Sequence, residues 1–174
     1  RWPFVNVHYA PLPRYRGRAS VNWAIVNGEP STAISIHLID EGLDSGNILF
    51  QEEIPIGARD TVSDLYRRLN DIQEKYLGQT VVRVVNEGWR GIPQDPSAAS
   101  YGCGRVPDDG EIEWAAPAVN IDRLVRSLTP PFPGAFTFFR GNRLTVLHSE
   151  PLTDPHVFAG RVPGRVLRRS WAEG

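Results

Sequence analysis

The run Phe4-Val5-Asn6-Val7-His8 reads as a buried strand that stops at a proline-bracketed loop, Ala10-Pro11-Leu12-Pro13. Side chains of a strand alternate between faces, so Asn6 and His8 point the same way. Polar side chains at the loop end of an apolar strand mark the place where open α/β folds keep their sites. Farther along, beyond a helix and a strand, comes Leu43-Asp44-Ser45-Gly46. The expectation is that this turn brings a carboxylate within reach of the amide and the imidazole.

Those three groups suit acid–base work on a carbonyl. An asparagine amide can donate to a developing oxyanion. An imidazole can give or take a proton near neutral pH, and a carboxylate beside it holds one tautomer. No serine or cysteine nucleophile is placed next to His8, so the chemistry fits direct attack by a substrate nucleophile, without a covalent intermediate. Plainer readings exist for each residue. A histidine at a strand end is often structural, and an aspartate between glycines is often a turn residue. Asn6 is harder to dismiss, because a buried amide needs partners. His37, His148 and His156 read as surface or internally satisfied residues. Trp23 reads as core packing before substrate stacking. The basic loop Arg14-Tyr15-Arg16-Gly17-Arg18 is either an anion-holding loop with forked donors or simply solvated.

Bulk properties narrow the class. The chain has 174 residues, 41% hydrophobic and 22% charged, with a formal net charge of −1. That is enough for one generous domain or two small ones, and it lacks the broad basic footprint of a tight nucleic-acid binder. A single cysteine, Cys103, excludes an intrachain disulfide. No His/Cys/Asp/Glu spacing suggests a metal site. No apolar run approaches the roughly 20 residues that cross a bilayer, and the start has no signal-peptide layout, so a cytoplasmic location is expected. The chain contains no methionine and begins inside an apolar strand. Its amino terminus is therefore expected to be missing.

The remaining pattern predicts a helix over 19–27 closed by Gly28, strands over 34–39 and 49–56, and a long helix opened by Thr61 and Asp64 as a capping pair. Val62, Leu65, Leu69, Ile72 and Tyr76 form its apolar stripe, continued by Val81, Val82 and Val85. Three segments follow: 1–87 as the first domain, 88–100 as a Gly/Pro/Ser-rich linker, and 101–174 as a small β-rich domain. The last should hold a turn at 107–110, a short strand at 111–114, a helix over 120–128, and a hairpin of 135–139 with 144–148 around Gly141-Asn142. A further strand is expected over 160–167.

Taken together, the motifs resemble a known family. They are Asn6-x-His8-x-x-x-Leu12-Pro13-x-Tyr15-Arg16-Gly17, Trp23-Ala24-Ile25-x-x-Gly28-Glu29, His37-x-Ile39-Asp40-x-Gly42-x-Asp44-x-Gly46, Pro107-Asp108-Asp109-Gly110-x-Ile112-x-Trp114 and Pro131-Phe132-Pro133-Gly134-Ala135-Phe136. The combination resembles the formyltetrahydrofolate-dependent formyltransferases over most of the chain. The resemblance implies an α/β fold: part of a Rossmann-like, mostly parallel sheet, then a small barrel-like (OB-like) carboxy-terminal domain. It implies Asn6, His8 and Asp44 as catalytic residues, with 10-formyltetrahydrofolate as co-substrate and no metal. It places the loop Ile39, Asp40, Glu41, Gly42, Leu43 and Asp44 along the pterin. The acceptor side is assigned to Pro13, Arg16, Arg18 and Asn22.

The expected reaction is formyl transfer to a primary amine, preferably of a nucleotide-linked amino sugar. Methionyl-tRNA is the second choice. A non-catalytic binding module and a folate hydrolase releasing formate are the rivals. The expected partners are the small-molecule acceptor, no membrane, and either a second copy of the chain or a complementing amino-terminal fragment. The second domain is expected to be cut short after Gly174.

Overall fold

The computed structural model describes residues 3–152, 160 and 162–166. Strand β1 (Val5–His8) is followed by the short strand β2 (Arg16–Gly17) and helix α1 (Ser20–Asn27). Gly28, at φ 69°, ends α1 as its sequence position predicts. Strands β3 (Ser31–Leu38) and β4 (Ile48–Pro55) precede helix α2 (Val62–Asn86). The second part holds β5 (Tyr101–Gly102), α3 (Ala118–Ser127), β6 (Ala135–Phe139) and β7 (Asn142–Val146).

The mixed α/β class holds, but the sheet differs from expectation. Its order is β1-β3-β4, and both pairings are antiparallel rather than mostly parallel. Residues 39–47 between β3 and β4 are too few for a crossover, which needs about a dozen, so that pair must reverse. Between β1 and β3 the register sets Val5 and Val7 against Leu38 and Ile36 on one face. The other face sets Asn6 against His37 and His8 against Ser35. Apolar meets apolar and polar meets polar, which fixes the register, since a one-residue slip would turn every side chain over. The apolar face packs under α2, where Ile36, Leu49 and Val84 are buried with Val7 and Phe50. A neighbouring cluster joins Val21 and Ile25 of α1, Ile34, Ile54, Val62, Leu65 and Leu69.

Helix α2 opens on the predicted capping pair. Thr61 Oγ1 accepts from the Asp64 amide (3.3 Å), and Asp64 Oδ2 accepts from the Thr61 amide (3.0 Å). The stripe through Leu65 and Leu69 is buried as expected, whereas Val81, Val82 and Val85 are exposed. Near its end the helix buries Thr80 and Val84 instead, because its 3.6-residue period carries the contact face past those valines.

Residues 88–100 are not a free linker. Ile92 exchanges two backbone hydrogen bonds with Ile48 (2.8 and 2.9 Å), and β5 pairs in parallel with β2. In the second part, Pro107–Gly110 is a turn of 3₁₀ helix. The strand expected at 111–114 reduces to a bridge between Glu111 and Phe136. The hairpin β6–β7 forms, but Phe139 pairs with Asn142, so the turn is Arg140-Gly141 rather than Gly141-Asn142. Both turn residues have positive φ (51° and 79°), as a type I′ turn requires. The barrel expected here is represented among the described residues by this hairpin. Residues 160 and 162–166 form no strand, and positions 161, 167 and His156 lie outside the described residues. Phe132 packs on the clusters of both parts, and the Asn22 amide donates to the Ser127 carbonyl (2.7 Å).

Candidate active site

Strand β1 presents Asn6 and His8 on the polar face of the sheet, and the β3–β4 connection folds back over them. Asp44 sits in that connection with φ 51°, a left-handed conformation uncommon for a residue with a side chain. Its carboxylate faces inward. Oδ2 accepts from the Gly17 amide (2.8 Å) and lies 3.7 Å from His8 Nδ1. Oδ1 lies 3.5 Å from both Asn6 Nδ2 and His37 Nε2. The side chains of His8 and Asp44 are only 10% and 11% exposed, so their interaction is weakly screened. The structure thus brings Asn6, His8 and Asp44 together.

His37 joins them, which its sequence position did not announce. It is 2% exposed, faces the site, and is satisfied from within. Its Nδ1 donates to the Leu38 carbonyl (2.8 Å), so Nε2 is an acceptor and receives a hydrogen bond from Asn6 Nδ2 (3.1 Å). Burial pushes the His37 imidazole below its ordinary 6.5, which keeps the ring neutral in this role. His37 therefore aims the Asn6 amide. The amide's second proton has only the long Asp44 contact and can be redirected to a substrate oxygen. His8 donates through Nε2 to the Tyr15 carbonyl (2.7 Å) and turns Nδ1 toward Asp44. Both ring nitrogens face acceptors, an arrangement suited to holding a proton in transit. The backbone around this cluster is unusual. Tyr15, Ala19 and Asp44 all have positive φ (59°, 54° and 51°). Such strain persists where surrounding contacts over-determine it, and it concentrates at functional sites.

The other expected site residues divide. Ile39, Asp40, Glu41, Gly42 and Leu43 form an exposed loop, braced by Asp40 Oδ1, which accepts from the Gly42 amide (3.1 Å) and Ser45 Oγ (2.7 Å). Arg18 and Asn22 line a cavity of about 390 Å³ with Tyr66, Arg105, Val106 and Phe132. Asn22 is 1% exposed, and its Oδ1 finds no hydrogen-bond partner among the described residues, nor does Arg105 Nε. The Arg105 guanidinium stacks on Trp23, 4.7 Å from the ring centroid.

Arg16 is a correction. It is 5% exposed, and its donors go to Gln94 Oε1 and the Tyr101 hydroxyl, so it is committed inside the protein. Pro13 accepts from the Ser100 amide through its carbonyl and does not line the cavity. Gln94 and Arg105 carried no signal in the sequence. Among the described residues, no group of three or more His, Cys, Asp or Glu side chains is placed to hold a metal ion. No helix among them is long and apolar enough to cross a membrane.

Two family models match the chain: formyl transferase over residues 1–81, and formyl transferase C-terminal domain over 106–172. A methionyl-tRNA formyltransferase of Alkaliphilus oremlandii (strain OhILAs) is 36% identical over 163 residues, covering 94% of this chain and 51% of that protein. An N-formyltransferase from Helicobacter canadensis, solved with folinic acid and dTDP-3-aminofucose, is similar at 25% identity and a TM-score of 0.69. That match covers 79% of this chain and 51% of the other. The sugar 3N-formyl transferase WlaRD, solved with dTDP and 5-N-formyl-THF, is similar at 27% identity and a TM-score of 0.60, covering 71% and 46%. The chain spans about half the length of the curated relative it matches.

Proposed function

The chain belongs to the formyl transferase family, and from that premise we propose that it carries the residues that move a formyl group from 10-formyltetrahydrofolate to a primary amine. The observation that carries this reading is the inward carboxylate of Asp44, set between His8 Nδ1 and the Asn6 amide. A neutral amine on the acceptor attacks the formyl carbon, forming the new C–N bond and a tetrahedral oxyanion. Asn6, aimed by His37, donates to that oxygen. His8, with its Nε2–H held by the Tyr15 carbonyl, takes the proton released by the amine on Nδ1 beside Asp44 and returns it to the folate nitrogen as the old C–N bond breaks. The exposed loop 39–43 offers backbone groups to the edge of the pterin. The co-substrate supplies the activated formyl group; the chain supplies orientation and proton handling.

For the acceptor, we favour an amino sugar carried on a nucleotide. The cavity lined by Arg18 and Asn22 supports it. Arg18 and Arg105 bring positive charge, Trp23 lies under Arg105, and Asn22 holds a buried carbonyl oxygen in need of a donor. That combination suits a phosphorylated ligand with amide or hydroxyl donors. The second reading, methionyl-tRNA, is favoured by the 36% identity to the Alkaliphilus enzyme.

The test is formyl transfer from 10-formyltetrahydrofolate to nucleotide-linked amino sugars by protein carrying this chain. His8→Ala is expected to lower kcat by roughly 10²- to 10⁴-fold. Transfer at the original rate by His8→Ala would remove the catalytic assignment. Formate in place of formamide would make the protein a hydrolase.

A further inference from the structure

Residues 88–100 fall between the two matched segments, 1–81 and 106–172, yet one of them reaches the Asp44 loop. Gln94 Nε2 donates to the carbonyl oxygens of Asp44 (2.8 Å) and Gly46 (2.7 Å). Its Oε1 accepts from Arg16 Nη2 (2.7 Å) and Nε (3.1 Å). A side-chain amide has two donor hydrogens and an oxygen with two lone pairs, so Gln94 has nothing left to offer. Arg16, almost fully buried, gives its third contact to the Tyr101 hydroxyl (3.1 Å). No carboxylate pairs with it among the described residues. A buried cation without a counter-ion is costly unless its donors are satisfied, so the guanidinium and the amide hold each other in place.

We propose that Gln94 is a positioning residue for the transfer reaction. Gripped by Arg16, it clasps the backbone on both sides of Ser45 and so sets where Asp44 presents its carboxylate. This rests on the catalytic reading of Asp44 given above. The clasp fixes the backbone that carries Asp44 at φ 51° by holding its carbonyl and that of Gly46. It also explains the residue type. Glutamate could still accept from Arg16, but it would turn oxygen lone pairs toward the two carbonyls. Asparagine keeps the amide and is one methylene too short to span both partners.

The experiment compares wild type with Gln94→Glu by amide hydrogen exchange, thermal unfolding and formyl-transfer kinetics. The Gly17 amide, bonded to Asp44 Oδ2, reports the carboxylate's position. The Arg18 amide, bonded to the Gly102 carbonyl, reports the β2–β5 pair and serves as control. The expected result is Gly17 exchange about tenfold faster with Arg18 changed by less than about threefold. In the same variant kcat falls about tenfold or more while KM for the formyl donor stays within about threefold, the pattern of a lost transition-state contact. Unchanged Gly17 exchange in the folded variant, or wild-type kcat despite faster exchange, overturns the proposal. Should Gln94→Glu fail to fold, Gln94→Asn is read by the same criteria. If wild-type protein transfers no formyl group, the proposed function fails, and the Gly17 and Arg18 amides still decide whether Gln94 fixes Asp44.

Discussion

At the scale of single residues, His37 shows how one ring sets another group's direction. Its Nδ1–H is spent on Leu38, which leaves Nε2 to accept from Asn6. Burial holds its pKa below 6.5. The unfolded chain therefore takes up this proton more readily than the folded one. Stability from this group is fully present above pH 6.5, is lost as the pH falls toward the lower folded value, and then levels off. The expected outcome is a urea midpoint that drops between about pH 7 and pH 5 in wild type, with a shallower drop in His37→Gln. Equal slopes in the two proteins would show that His37 does not take part.

The shared face of Asn6 and His8 was legible because strand parity is local. The part played by His37 was not, because it depends on which residue of β3 lies opposite Asn6. Arg16 was misread for a similar reason. A basic loop looks solvated until the burial imposed by residues near position 94 is known.

At the scale of elements, legibility followed the reach of the signal. Helix α2 announced itself through a stripe and a cap, both contained within a few residues. Its cap should be worth measuring. The hydroxyl and backbone of Thr61 hold the Asp64 carboxyl below its ordinary value. Thr61→Ala is expected to lower stability by about 1 kcal/mol in denaturant titration. The Asp64 half of the effect is present above pH 3.8 and is lost as the pH falls through the depressed folded value. A Thr61→Ala midpoint equal to wild type would show the box to be energetically idle. The first strand of the hairpin was placed correctly, its second lies two residues earlier than expected, and its turn was off by one. Gly141 and Asn142 are good turn formers, but the pairing of Phe139 with Asn142 moved the turn onto Arg140. Strand direction was the larger miss. Apolar alternation identifies a strand and does not say which way its neighbour runs.

At the scale of the whole molecule, net charge and cavity chemistry bear on the acceptor. The formal charge is −1, and Arg18 and Arg105 line a single cavity. A compact phosphorylated ligand would make few phosphate contacts there, whereas a tRNA would make many. Acceptor affinity is therefore expected to change little, by less than about tenfold, between 50 and 200 mM salt. A loss of about 10³-fold or more would point to the polynucleotide.

The pairing of β2 with β5 also bears on how relatives of this protein can be recombined. The stretch that looks like a seam between halves is threaded back through the first half, with Ser100 and Tyr101 lying alongside Tyr15 and Arg16. A chimera joined just after α2 would import a foreign amide at position 94 together with foreign partners for the Arg16 strand. One joined beyond Gly102 would carry the native fastening across intact. The useful crossover point thus lies where backbone pairing ends, several residues past the place where composition changes.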